Sequence, residues 1–134
     1  MRVLAIDHGN TRAGTAICDP SGTIVRPLGL ISPPEPGEAA RIAAVEGAET
    51  IVVGLPVSLD GAEREQAAAA RAFAGEVAAL TEIPVEIYDE RLTTRMAAQT
   101  ARSGARAPAD AIAAAHLLEG YLLALESRAA RESE

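Results

Sequence analysis

The alternation of apolar and polar positions divides the chain into five predicted strands and four predicted helices. Continuous apolar runs, such as residues 3–6 and 51–53, predict strands that are buried on both faces. Phe73, Val77 and Leu80 recur at helical spacing and predict a helix with one apolar face. The predicted order is βββ-α-β-α-β-α-α, with strands at 3–6, 15–18, 23–30, 51–53 and 84–88 and helices at 38–46, 60–80, 93–102 and 110–127.

The lengths of the connections predict how these strands pair. The first three strands are joined by short turns, including the turn residues 19–22, and short turns favour an antiparallel meander. The later strands alternate with helices and are expected to join the sheet in parallel, with strand 84–88 at an edge. We therefore predict one α/β domain over residues 1–127, followed by a polar tail, 128–134, that frays.

Composition supports a single packed domain and raises an objection to one class of function. The chain has 134 residues, of which 49% are hydrophobic, and carries a net charge of −7. Its 12 basic residues are all arginine and face 19 acids, a balance that argues against binding nucleic acid or anionic membranes. The single cysteine, Cys18, excludes an intramolecular disulfide and a Cys-rich zinc site. No apolar run has the length of a signal peptide or membrane span, so we expect a cytoplasmic protein.

Three carboxylates lie at the ends of predicted elements. Asp7 ends a strand expected at the centre of the sheet, although a turn-forming aspartate explains it equally well. Glu90 follows the last strand, and its alternative is a surface ion pair with Arg91 or Arg95. Asp110 occupies the first position of an otherwise apolar helical stripe, and its alternative is a helix N-cap.

Together these three carboxylates are chemically suited to a metal site. Carboxylate oxygens bind Mg²⁺ or Mn²⁺, and two such ions can activate a water and stabilise the leaving oxygen of a phosphodiester. Spacing alone does not establish that site, because Asp7, Glu90 and Asp110 are distant in sequence.

Four segments, in order, resemble the YqgF family, also called RuvX, and the resemblance extends over nearly the whole chain, roughly residues 2–125. The segment YDERLTT is the most diagnostic of them. The four are LAIDHGNTRAG at 4–14, IVVGLP at 51–56 with Asp60-Gly61 following, YDERLTT at 88–94, and DAIAA at 110–114 continuing to GYL at 120–122.

The resemblance implies an RNase H-like fold with a five-stranded mixed sheet, three antiparallel strands plus two parallel ones, flanked by helices. It implies a nuclease that processes pre-16S rRNA or resolves Holliday junctions. Asp7, Glu90 and Asp110 become its acidic catalytic set and the ligands of two Mg²⁺ or Mn²⁺ ions. A junction resolvase makes two cuts and would be a homodimer, whereas a processing nuclease can act as a monomer.

Residues beside these carboxylates receive further roles. Arg12, Arg91 and Arg95 are candidates for holding phosphates, with pairing to Asp89 an equal alternative for Arg91. His8 is expected to be a solvent-exposed bystander, with assistance in proton transfer as the alternative. Four neighbouring residues are expected to have structural roles. Gly9 and Gly14 permit tight turns or a close approach of the backbone, Gly54 shapes a loop, and Thr93 caps a helix.

The chain departs from the family pattern at two places that lose positive charge. Thr11 stands where the family usually has a basic residue, and residues 103–109 lack its usual run of Lys and Arg. Both changes weaken the case for tight nucleic-acid binding more than the case for a metal site. Two other functions compete: a non-catalytic module that binds RNA or a ribosome-associated protein, and a sugar-kinase-like or actin-like phosphotransferase. The phosphotransferase needs two such domains, and the chain supplies one.

The distribution of charge answers the objection raised by the overall acidity. Residues 38–90 contain eleven acids and three arginines, whereas residues 91–109 contain four arginines and no acid. The basic segment therefore lies between the proposed ligands Glu90 and Asp110. We expect weak nucleic-acid binding that depends on metal and decreases with salt.

Overall fold

The computed structural model describes residues 1–55, 61–89 and 109–132, and these residues form a five-stranded sheet with helices on both faces. The predicted helix over residues 93–102 lies outside the described residues. The observed elements are β1 Val3–His8, β2 Ala13–Cys18, β3 Val25–Ile31, α1 Pro36–Glu46, β4 Thr50–Leu55, α2 Gly61–Leu80, β5 Val85–Asp89 and α3 Ala109–Glu132.

The strand order is β3-β2-β1-β4-β5, which confirms the mixed sheet and the edge position of the last strand. β1 pairs antiparallel with β2, and β2 pairs antiparallel with β3. β4 joins β1 in parallel and β5 joins β4 in parallel. The carboxyl ends of β1, β4 and β5 therefore lie side by side at one edge of the sheet.

Both faces of β1 are buried, as its continuous apolar run predicts. Leu4 and Ile6 pack in a core with residues of α1 and α2, among them Phe73. Val3 and Ala5 pack on the other face, in a second core with α3. The molecule is therefore a three-layer arrangement with β1 at its centre.

The three described helices agree with the predicted ones except for the burial of one residue in α2 and the end of α3. In α2, Phe73 and Val77 are buried, but Leu80 is exposed because it lies in the last turn, where the helix leaves the core. α3 continues to Glu132, past the predicted end at residue 127, and the domain boundary at that residue stays a prediction. Within the described residues, no helix is long and apolar enough to cross a membrane.

Candidate active site

Asp7 lies near the end of the central strand, between two glycines on the neighbouring strands. In register, Asp7 stands opposite Gly14 of β2. On the other side, Ile6 pairs with Val53, so the next residue of β4 beside Asp7 is Gly54. Neither glycine has a side chain, so these two register neighbours place no side chain beside the half-buried Asp7.

The alternation of β1 assigns Asp7 to one face of the sheet. Successive side chains of a strand point to opposite faces, and Val3 and Ala5 face α3. Asp7 therefore belongs to the face that α3 covers. Its neighbour His8 belongs to the α2 face, where its ring lies 4.7 Å from that of Phe73.

His8 is half-buried, which corrects the expectation of a solvent-exposed bystander. Burial lowers the pKa of His8, and the charges of Asp7 and Glu76 oppose that shift. The apolar contact with Phe73 explains the burial, since Phe73 belongs to the α2 core. A neutral imidazole packed on an aromatic ring is a structural element of this edge.

The turn after β1 depends on a close approach of two backbone segments. The amide of Gly9 donates a hydrogen bond to the carbonyl oxygen of Arg12, at 2.9 Å. A Cβ on residue 9 would lie only 2.7 Å from that oxygen, a distance that side chains do not tolerate. The turn brings Arg12, whose side chain is exposed, to the same edge as Asp7.

β5 brings the YDERLTT segment to the same edge, with Tyr88 and Asp89 as its last residues. Tyr88 pairs with Gly54 in register, so Asp7, Gly54 and Tyr88 form one row across three strands. Four predicted site residues follow β5 and lie outside the described residues: Glu90, Arg91, Thr93 and Arg95.

Gly54 itself corrects an expectation, because it lies within β4 and not in a loop. The buried run of β4 extends through it, and its parallel pairing with β5 continues to Leu55. A glycine inside a strand commonly marks a place where something approaches closely, and here the row it belongs to includes Asp7.

α3 begins near the edge that carries Asp7. Further along the helix, Leu122 and Leu123 line a groove with Gly22 and Thr23 of the β2–β3 turn, which lies at the opposite end of β1. The first turn of α3 therefore faces the other way, toward the end of β1. The backbone of Asp110 is in this first turn, and its side chain lies outside what the structure describes.

The chemistry of the donor set fits a hard divalent cation, with one of the three predicted ligands seen in full. Asp7 supplies a carboxylate beside two glycines at the end of the central strand, and carboxylates are the donors that Mg²⁺ and Mn²⁺ prefer. Among the described residues, no three His, Cys, Asp or Glu side chains form a metal-binding group. Glu90 and Asp110, the two other predicted ligands, supply the same oxygen donors.

One feature of this region is missing from the sequence interpretation. Tyr121 of α3 donates a hydrogen bond from its hydroxyl to the carboxylate of Glu86 in β5. Its ring also meets that of Tyr88 edge to face, with centroids 5.9 Å apart. The sequence places Tyr121 on the apolar stripe of α3, but the partner strand follows only from the fold.

Comparison with known proteins gives the chain a family. A family model described as RuvX, Holliday junction resolvase, matches residues 1–124. A Chloroflexus aggregans protein named "Putative pre-16S rRNA nuclease" is 40% identical over 130 residues, covering 90% of this chain and 92% of the relative. A protein of the same name from Anaeromyxobacter sp. is 40% identical over 132 residues, covering 91% of this chain and 96% of the relative.

Solved structures give the same fold. RuvC of T. thermophilus in complex with a Holliday junction substrate superposes with a TM-score of 0.64 at 18% identity, covering 94% of this chain and 96% of that one. A second Thermus thermophilus RuvC structure superposes with a TM-score of 0.54 at 20% identity, covering 95% and 97%. At this identity the likeness shows a RuvC-like RNase H fold. Together with the family match and the relatives, it shows that the chain belongs to the RuvX family of nucleases.

Proposed function

We propose that this protein is a metal-dependent endonuclease that hydrolyses phosphodiester bonds in structured RNA, processing the 5′ end of pre-16S rRNA. The observation that carries the proposal is Asp7, a carboxylate at the end of the central strand with a glycine on each neighbouring strand. The shared name of the relatives favours RNA. A four-way DNA junction, named for the family and for the RuvC complex, is the second substrate to test.

Asp7, Glu90 and Asp110 are the residues that would hold two Mg²⁺ or Mn²⁺ ions. Such ions supply an activated water and stabilise the leaving oxygen of a phosphodiester. β5 ends at Asp89, so the chain continues into Glu90 from the edge that carries Asp7. α3 begins one residue before Asp110, toward the same edge.

The remaining residues of the proposed site bind and orient the substrate. Arg12 extends from the turn after β1, and Arg91 and Arg95 follow β5 in sequence. A guanidinium engages a phosphate through two parallel hydrogen bonds, so these arginines suit the nucleic-acid backbone. With a net charge of −7, the protein repels nucleic acid elsewhere, and binding should weaken as salt increases.

The test is cleavage by the full chain with Mn²⁺ or Mg²⁺. The substrates are a pre-16S rRNA fragment that includes the 5′ leader, an unrelated single-stranded RNA, and a four-way DNA junction. We expect metal-dependent cleavage of the rRNA fragment and a loss of about a thousandfold in Asp7→Asn, because a metal ligand contributes several kcal/mol to the reaction. Asp19→Asn is the matched control, since Asp19 lies at the opposite end of the sheet.

The other outcomes separate the competing functions. Binding of RNA without cleavage by any metal would replace the proposal with a non-catalytic module. Equal cleavage by wild type and Asp7→Asn would remove Asp7 from the site. Preferred cleavage of the four-way junction would keep the metal chemistry and change the substrate to DNA. Hydrolysis of ATP would favour the phosphotransferase.

A further inference from the structure

Three side chains connect α3 to β5 at the edge of the sheet. The Tyr121 hydroxyl donates to the Glu86 carboxylate, and the Tyr121 ring contacts Tyr88 with the two ring planes at 87°. Tyr121 is 7% exposed and belongs to the α3 core, whereas Glu86 is exposed, so the contact lies at the border of that core. Tyr88 and Tyr121 are the only tyrosines of the chain, and they meet here.

This connection spans a gap in the packing. The α3 core is built on β1, β2 and Val52 of β4, so the helix lies mainly over the centre and the β3 side of the sheet. Between α3 and β5 there is a small pocket of about 100 Å³, lined by Glu86, Tyr88, Tyr121 and Leu125 among others. A long side chain with a polar tip reaches across that gap, where an aliphatic residue of α3 would not.

The hydrogen bond from Tyr121 to Glu86 is supported by the surroundings of the Tyr121 hydroxyl. Burial raises the pKa of Tyr121 above its usual value, and the hydrogen bond and charge of Glu86 raise it further against the opposing charge of Arg128. The phenol therefore keeps its proton, and stays a donor, to a higher pH than an exposed tyrosine does.

We infer that Tyr121 is a positioning residue that holds the end of β5 at a fixed distance from the first turn of α3. β5 ends at the edge that carries Asp7, and α3 begins near that edge and runs away from it. Tyr88, which Tyr121 touches, stands in the same row as Asp7, with Gly54 between them. The inference rests on the proposed function, in which the metal ligands after β5 and at the start of α3 require a defined separation.

The energetic reason is that metal ligands tolerate little displacement. Among the strands that the structure describes, β5 is the outermost on its side of the sheet, so it pairs with a strand on one side only. Outer partners that orient metal ligands typically contribute 10- to 100-fold to metal affinity or activity, although they touch neither metal nor substrate. Tyr121 would act in this way through Glu86 and Tyr88, by restricting the lateral motion of β5.

The experiment compares Tyr121→Phe with a matched loss of a hydroxyl elsewhere. Thr15→Val is the control, because the Thr15 hydroxyl donates to the carbonyl oxygen of Gly29 at 3.0 Å, between β2 and β3. Each full-length variant is measured for melting temperature, for Mn²⁺ affinity by calorimetry without substrate, and for kcat and KM on the rRNA fragment. Glu86→Gln is a second variant that keeps an oxygen acceptor for the Tyr121 hydroxyl.

For Tyr121→Phe we expect about a tenfold loss of Mn²⁺ affinity and of kcat with an unchanged KM. Glu86→Gln should lie between Tyr121→Phe and wild type, and Thr15→Val should lower the melting temperature and change neither Mn²⁺ affinity nor kcat. If Tyr121→Phe behaves like Thr15→Val while the wild type is active, the positioning role is wrong and the proposed function stands. If the wild type neither binds Mn²⁺ nor cleaves, the proposed function and this inference both fail.

Discussion

Two aspartates at opposite ends of the sheet have contrasting surroundings. Asp19 follows β2, and its carboxylate accepts hydrogen bonds from the Ser21 hydroxyl at 2.6 Å and from the amides of Thr23 and Ile24 at 2.8 and 2.9 Å. Asp7 lies near the end of β1, and the residues beside it on the neighbouring strands are glycines. One carboxylate closes a turn through its own local donors, and the other lies beside two glycines at the end of the central strand.

The role of an aspartate at a strand end therefore depends on the groups around its carboxylate and not on the residue type alone. The Ser21 hydroxyl, followed by the amides of Ile24 and Thr23, lowers the pKa of Asp19 from 3.8 to about 2. These local donors make Asp19 a structural residue of its turn. The residues beside Asp7 in register are instead two glycines, which carry no side chain, and it is at this carboxylate that we propose ions and a phosphate bind.

A side chain placed beside Asp7 gives the largest effect that we expect from a glycine substitution. Gly54→Val would introduce a branched side chain into the row between Asp7 and Tyr88. Valine suits a strand, so we expect the fold to persist while kcat on the rRNA fragment decreases by at least about a hundredfold, the effect of displacing reacting groups by about 1 Å. Circular dichroism and steady-state kinetics measure the two quantities.

The matched control is Gly29→Val, a second glycine inside a strand. A Cβ on residue 29 meets nothing within 4 Å, and Gly29 borders a groove of about 290 Å³ between β3 and α1. We expect this variant to keep its activity. Full activity in Gly54→Val would show that the space beside Asp7 is not used, and would remove the contrast between the two ends of the sheet.

A smaller effect is expected at the turn that follows Asp7. Gly9→Ala would place a Cβ 2.7 Å from the carbonyl oxygen of Arg12, so the turn must shift. We expect the free energy of unfolding to decrease by about 1–3 kcal/mol in chemical denaturation. Gly75→Ala is the control, because its Cβ meets nothing within 4 Å and alanine in a helix should add up to about 1 kcal/mol. Equal stability of Gly9→Ala and wild type would contradict the close approach.

The sequence was sufficient for the sheet and for the position of Asp7 within it. The apolar run at residues 3–6 predicted a central strand, and the alternation at 84–88 predicted an edge strand, because burial on two faces or on one leaves a local pattern. The resemblance to the RuvX family, read from four short segments, was confirmed by the family match. The roles of Glu90 and Asp110 as metal ligands stay a prediction.

The features that the sequence did not reveal depend on which residues become neighbours in space. Gly54 was expected in a loop, since Pro56 follows closely, but pairing with β5 extends the strand through it. His8 was expected in solvent, and the contact that buries it comes from Phe73, which is distant in sequence. The bond from Tyr121 to Glu86 has the same cause. Strand register and the placement of the helices decide which of these side chains meet, and neither can be recognised from a short stretch of sequence.

The smallest effect is expected at the closed end, and it depends on pH. Because the folded-state pKa of Asp19 lies below the unfolded value, the ionised carboxylate stabilises the fold above about pH 4, and this contribution is lost as pH falls toward about 2. Asp19→Asn should therefore melt at a lower temperature than wild type at pH 7, and the difference should shrink as the pH approaches 2. Cleavage at pH 7 should be unchanged. A melting difference that persists in acid would mean that the Asp19 carboxylate does not act through its charge. Reduced cleavage by Asp19→Asn would mean that the end of the sheet at Asp19 affects the reaction at Asp7, which lies at the opposite end.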